Sequence, residues 1–180
     1  MTKSKHWQIE ERFLELRSKW LTLIGEKLQD DHGNILEYWR VEKADSVVIL
    51  PIHKNSIILP PPSYRPGVGE LTLDFPGGRV RDGESLEFAV ANILLRELGI
   101  SENQITKISA LNNQGWLVNS SFSNQKLYGF VAEIQSNLEI DQEYIGALYP
   151  INSTGVNDLL NHLHCLQCRA VFMEWWLHQI

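Results

Sequence analysis

Two glycines, two glutamates and an arginine are spaced along "DFPGGRVRDGESLEFAVANILLRELGI" (Asp74–Ile100) in a way that suits a phosphate-handling site. A strand that ends in Gly77-Gly78 and leads into a helix N-terminus can present backbone N–H groups to an anion. Glu84 and Glu97 are hard oxygen donors for a divalent cation, or bases for a water molecule. Arg96 is a permanent cation whose planar fork suits a diphosphate. Ile93, Arg96 and Glu97 are spaced i, i+3, i+4 and share one helix face, and their formal charges sum to zero. Such turns are common between strands and helices, so the chemistry rests on the side chains around this one. Outside it, Arg65 and Tyr64 stand in a Pro/Gly-rich stretch, and Asp141 and Glu143 stand in "EIDQEYIG". Trp39, Tyr64 and Trp116 offer faces on which a base could stack, although aromatics more often serve packing.

The elements that must position these groups follow from local pattern. "ELTLDF" (70–75) alternates as a strand and delivers the chain to the glycine turn. A helix is expected from Ser85 to Glu97, with Ser85 as its cap, Glu87 at the positive end of its dipole and Gly99 at C′. Upstream, "KWLTLIGEKLQ" and "ILEYWRVEKA" flank "DDHGN" as a β-hairpin. "SVVILPI" and "SIILP" form a second strand pair. Residues 7–18 carry helical apolar spacing in part. The stretch 61–69 reads as a loop, because its prolines remove donors and its glycines remove side chains. Further strands are expected at 106–111, 125–134 and 146–150, and helices at 154–163 and 166–178. Mixed strands with a few helices make an α+β protein.

The whole chain bounds the function. Its 180 residues suit one compact domain with a small appendage. It is 43% hydrophobic and 21% charged, which is enough apolar material for a core. A net charge of -6, with no Lys/Arg run, argues against nucleic acid or a membrane surface as partner. No apolar run approaches the ~20 residues of a membrane span, and the N-terminus has no secretory h-region. A cytoplasmic protein is expected.

The spacing of Gly78, Glu84, Glu97, Gly99 and Ile100, with Leu94 in the central apolar place, resembles the Nudix box, G-x5-E-x7-R-E-U-x-E-E-x-G-U with U apolar. "YRPGVGELTLDFPGG" is similar to the "QYR…LELPAG" lead-in of the ADP-ribose and nucleotide-sugar branch. The resemblance implies a Nudix fold, a mixed β-sheet sandwiched between helices. Residues 1–45 would form an N-terminal helix and β-hairpin extension, and 46–180 the Nudix domain. It implies pyrophosphohydrolase chemistry on a small diphosphate ligand, with Mg²⁺ or Mn²⁺ held by glutamates. It also implies phosphate or ribose contact by Arg65, a base from the loop of Glu143 or Asp141, and a homodimer built partly from the hairpin.

Departures from the box bear on the chemistry. Asn92-Ile93 stands where the family has Arg-Glu, and Arg96-Glu97 where it has Glu-Glu. Two of three metal-binding glutamates are therefore replaced, and Glu97 remains the one metal ligand of that set. Two unit charges 4 Å apart interact by roughly 1 kcal/mol in water and about 4 kcal/mol at an effective dielectric near 20, about doubled for a divalent ion. Arg96 beside the metal position therefore argues against tight binding there. Either Arg96 replaces the metal and grips a diphosphate beside Arg65, Gly77 and Gly78, or Ile93 is core and Arg96 pairs with a carboxylate. The expected outcomes are weak or lost hydrolysis, a silent ligand-binding or scaffolding module, or metal-independent chemistry on a diphosphate ligand. The ADP-ribose enzymes carry a proline about sixteen residues beyond the box, and this chain has none between Ile100 and Tyr149. A polar run, Asn112 to Gln114 and Asn119 to Ser121, stands in that region and reads as pocket lining or plain loop.

"HLHCLQC" places His162, His164, Cys165 and Cys168 within seven residues. These are zinc-ligand types, but zinc sites usually draw on two separated segments. Buried thiols and surface imidazoles are the expected outcome.

Overall fold

The computed structural model describes residues 6–179. The chain forms two compact units. The first comprises residues up to Ala44 together with Leu117–Lys126, and the second comprises Asp45–Trp116 and Leu127–Ile180.

The first unit is an antiparallel sheet of β1 (Gln8–Arg17), β2 (Thr22–Gln29) and β3 (Ile35–Glu42), with β2 in the middle. The helix expected over 7–18 is therefore a strand. Its register against β2 shifts between Ile9 and Glu11 and again between Arg12 and Leu14. Each irregularity slips the two-residue alternation, so the apolar residues fall at spacings that mimic a helix. Arg12 lies opposite Glu26, and Phe13 crosses over Gly25 to meet Trp39 edge-on at 5.4 Å. The segment 117–126 joins this unit through a bridge from Val41 to Ser123 and a bond from Val41 N–H to Phe122 O at 2.8 Å. Tyr38 donates its hydroxyl to Ser121 O.

In the second unit β4 (Ser46–His53) turns into β5 (Ser56–Leu59) through Lys54 and Asn55, both at positive φ, as a two-residue hairpin demands. β6 (Ser63–Arg65) and β7 (Glu70–Thr72) form a small hairpin of their own. The expected loop over 61–69 thus contains a three-residue strand, and it fits because Pro62 and Pro66 flank it and take no part in the ladder. β8 (Gly77–Arg79), α1 (Leu86–Leu98), β9 (Ile105–Ala110), β10 (Trp116–Leu117), β11 (Lys126–Ile134), β12 (Ala147–Pro150), α2 (Ser153–His162) and α3 (Leu166–Leu177) follow. β11 runs parallel to β4, while β5, β8, β9 and β12 pair antiparallel with their neighbours, so the sheet is mixed.

β4 is covered on both faces, which explains its nearly unbroken apolar run. Val47, Ile49, Ile58, Phe130 and Ala132 pack with Val90, Ile93, Leu94 and Leu98 of α1. Gly129, one residue out of phase with Phe130, faces α3, where Val171 reaches within 3.1 Å of the place a Cβ would take. Residues such as Val90, Leu94 and Phe172 are fully buried, and each stabilises the fold by about 1.5–3 kcal/mol relative to exposure. No helix among the described residues is long and apolar enough to cross a membrane.

Candidate functional site

The turn between β8 and α1 is held from both sides. Gly77 and Gly78 pair with Val48 and Val47 of β4, and Ile49 N–H donates to Pro76 O at 2.9 Å. Ser85 caps α1 by accepting from Phe88 N–H at 3.2 Å. Gly99 closes the helix in the left-handed region (φ 66) and donates to Leu95 O. A Cβ at Gly78 would sit 3.2 Å from Ile93 Cδ1 and 3.3 Å from an Arg96 guanidinium nitrogen. The glycine is what lets the α1 face close on the turn.

Ile93 belongs to the core, with 3% of its surface exposed. Arg96 lies on the turn. Its Nη2 donates to Glu97 Oε1 at 2.5 Å and reaches Gly77 O at 3.4 Å. Glu97 Oε2 accepts from Gly77 N–H at 3.2 Å. A guanidinium nitrogen therefore sits between a carboxylate and a carbonyl, two hard oxygens of the kind a magnesium ion would use. Glu84 precedes the helix cap and accepts from Arg81 N–H at 2.9 Å and from Asn92 Nδ2, one helical turn before Arg96, at 3.5 Å.

Arg65 joins the same neighbourhood. It holds Asp74 Oδ2 through Nε and Nη2, both at 2.8 Å, and Thr72 Oγ1 donates to that oxygen at 2.8 Å. A cleft of about 290 Å³ is lined by Pro60, Pro61, Ser63, Arg65, Asp74, Phe75 and Glu97. Arg65 and Glu97 thus share a cleft, and Gly77, Gly78 and Arg96 adjoin it through Glu97. Other candidates do not line this cleft. Trp116 packs at Gly129, where its ring comes within 3.2 Å of a Cβ position. Glu143 is exposed on a short 3₁₀ turn, Gln142–Tyr144, where Asp141 accepts its N–H at 3.1 Å. Trp39 lies in the first unit, and its indole N–H donates to Glu37. Asn112 is part of the scaffold, donating to Leu127 O and accepting from Gly129 N–H, both at 3.0 Å.

Asp74 is the site residue that sequence reasoning missed. The strand expected over 70–75 ends at Thr72, and Asp74, only 10% exposed, follows it outside the ladder. It falls on the polar phase of "ELTLDF", so no sequence signal marked it as a partly buried carboxylate. The two histidines weighed with the cysteines do not join them. His162 Nδ1 lies 2.8 Å from Asp158 O, and His164 is exposed. Cys165 and Cys168 instead gather with Asp74. The Cys165 thiol is held down to about 6, first by its hydrogen bond with Cys168, and Cys168 is pushed up by the same bond and by burial.

Neither a family model nor a curated protein matches the sequence. Solved structures do match the fold. The crystal structure of an ADP compounds hydrolase is similar over 99% of this chain and 98% of its own, with a TM-score of 0.73 at 21% identity. The fold is the Nudix fold. On this Nudix fold, β8, the glycine turn and α1 carry the side chains described above. Likeness at that identity fixes architecture, and the chemistry must be argued from the side chains themselves.

Proposed function

We propose that the chain recognises a small molecule carrying a nucleoside diphosphate linkage, such as a nucleotide sugar, and holds the diphosphate with fixed cations. Arg96 and Arg65 are the gripping groups, assisted by the Gly77–Gly78 turn. Metal-dependent pyrophosphohydrolase activity is weak or lost. The observation that carries this reading is the Arg96 guanidinium lying between Glu97 and Gly77 O. Its Nε and Nη1 donors make no protein hydrogen bond among the described residues, so a bidentate grip on phosphate oxygens costs it no existing contact. The similarity to an ADP compounds hydrolase supports the ligand class.

The residues do not fit a tightly held Mg²⁺ or Mn²⁺. Ile93 offers no oxygen, Glu84 accepts from its own turn, and Glu97 is already neutralised by Arg96. A general-base role would fall to Glu143, whose carboxylate is exposed. The exposed apolar side chains of the first unit, among them Ile9, Phe13, Ile35 and Trp39, favour a homodimer.

The test is turnover and calorimetric binding of ADP-ribose and nucleotide sugars, with and without Mg²⁺ or Mn²⁺. Binding without metal and little turnover is expected. Turnover at the rate of an enzyme with an intact box would contradict the proposal. No binding to any of these ligands would leave a scaffolding module as the reading.

A further inference from the structure

We propose that Cys165, Cys168 and Asp74 form a binding site for a soft divalent cation of the zinc class, adjoining the diphosphate grip through the contact of Asp74 with Arg65. One ligand atom from each residue lies within 4.8 Å of the other two. The objection to zinc at the sequence level was that all four candidates fell within seven residues. The fold answers it by leaving out both histidines and bringing in Asp74, 94 residues from Cys168. Two cysteines from a helix end and one carboxylate from the distant link between β7 and β8 are ligands from two separated segments, as is usual in zinc sites.

The geometry is close to what the ion needs. Tetrahedral zinc, with bonds of 2.3 Å to sulfur and 2.0–2.2 Å to oxygen, sets ligand atoms about 3.6–3.8 Å apart. Closing from 4.8 Å is a side-chain adjustment. Cys165 is the residue that opens α3, and Cys168 lies one turn into the helix, 2% exposed. Asp74 is prepared as a ligand. Its Oδ2 is held by Arg65 and Thr72, while Oδ1 faces Cys168 Sγ at 4.0 Å. Partners on the outer oxygen orient a ligating carboxylate in this way. Charge also balances, since two thiolates and a carboxylate (-3) meet the ion (+2) and Arg65 (+1). The two sulfurs select a soft ion over magnesium. Three protein ligands leave one of four positions for water or another donor.

A Cys-x-x-Cys at a helix start also suits a thiol–disulfide pair. The carboxylate aimed at the sulfurs favours the cation, because it opposes a bare thiolate and completes a ligand set. The experiment uses the full chain, reduced and stripped with chelator, titrated with Co²⁺ and then Zn²⁺. One equivalent should bind, with a thiolate-to-cobalt absorption band that Zn²⁺ bleaches. Cys165→Ser, at a half-buried helix end, should abolish the band. Asp74→Asn should weaken affinity at least tenfold, and His162→Ala with His164→Ala should leave it unchanged. Melting curves of each metal-free variant show whether it is folded. Absence of stoichiometric uptake by the folded, reduced protein overturns the site. So does an Asp74→Asn protein that binds as tightly as the original. So does ready formation of a Cys165–Cys168 disulfide by exchange with a small disulfide, with no metal uptake by the dithiol. Metal uptake is read independently of diphosphate binding, so either proposal can fail without the other.

Discussion

Glu26 and Glu97 are both carboxylates met by arginine, and their surroundings give them opposite uses. Glu26 lies in the middle strand of the first unit with its side chain 2% exposed. Arg12 holds Oε1 at 2.8–2.9 Å and Arg40 holds Oε2 at 3.0 Å, so both oxygens are saturated in a closed place. Glu97 has one arginine and one backbone N–H, and Arg96 is 59% exposed with donors to spare. An exposed pair contributes little to stability, while a buried pair is costly to break from one side. The first arrangement is a clamp. The second is a cation held in place for an incoming anion.

Breaking the α1 face should have the largest effect. Ile93→Glu restores a carboxylate of the family's box but buries it among Val90, Leu94 and Phe130. Loss of about 3 kcal/mol or more is expected, or roughly 10 °C in Tm for a chain of this size. Thermal melting checks it, and an unchanged Tm would show that the side chain reaches the cleft. Glu26→Gln comes next, at about 2 kcal/mol. That is below the 3–5 kcal/mol of fully buried pairs, because both guanidiniums reach water. Denaturant unfolding reads it. The same clamp predicts a pH dependence. Hydrogen bonding, first from Arg40, holds the Glu26 carboxyl below its ordinary value of 4.5. Its contribution is complete above that value and is lost as pH falls through the lower folded value. Stability should therefore hold between pH 7 and 5 and decline in more acid solution, with a shallower decline in Glu26→Gln.

Much of the fold was legible because period and punctuation agree. "SVVILPI", the Ser85–Gly99 helix with its two caps, and both closing helices stand where their residues indicate. β1 was not legible, since two register shifts disguise its alternation. β6 was hidden between prolines that end a short strand without entering it. At the site, Arg96 and Glu97 are adjacent on the helix that follows the Gly78 turn, so their meeting could be read from the spacing of one turn and its helix. Asp74 and Arg65 could not be joined that way, because a nine-residue hairpin, counted from the two positions, brings them together. Trp116 was a candidate only by type, and its place over Gly129 depends on strand pairing that no local pattern gives.

Smaller effects sharpen the same contrast. Gly78→Ala puts a methyl group where the Arg96 guanidinium lies, 3.3 Å away. The flexible arginine end can yield, so stability should change by about 1 kcal/mol or less, while ligand affinity falls several-fold by calorimetry. Equal affinity with a large stability loss would place the constraint on Ile93 instead. Arg96→Ala should cost under about 1 kcal/mol in stability, as exposed pairs do.

The most direct test is calorimetric titration of the chain and of Arg96→Ala with ADP-ribose and a nucleotide sugar in the presence of chelator. The original protein should bind at least one of them without metal, and Arg96→Ala should lose at least tenfold in affinity, about 1.4 kcal/mol. Binding that appears only with Mg²⁺ or Mn²⁺, or that survives Arg96→Ala undiminished, would contradict a fixed arginine in place of the metal.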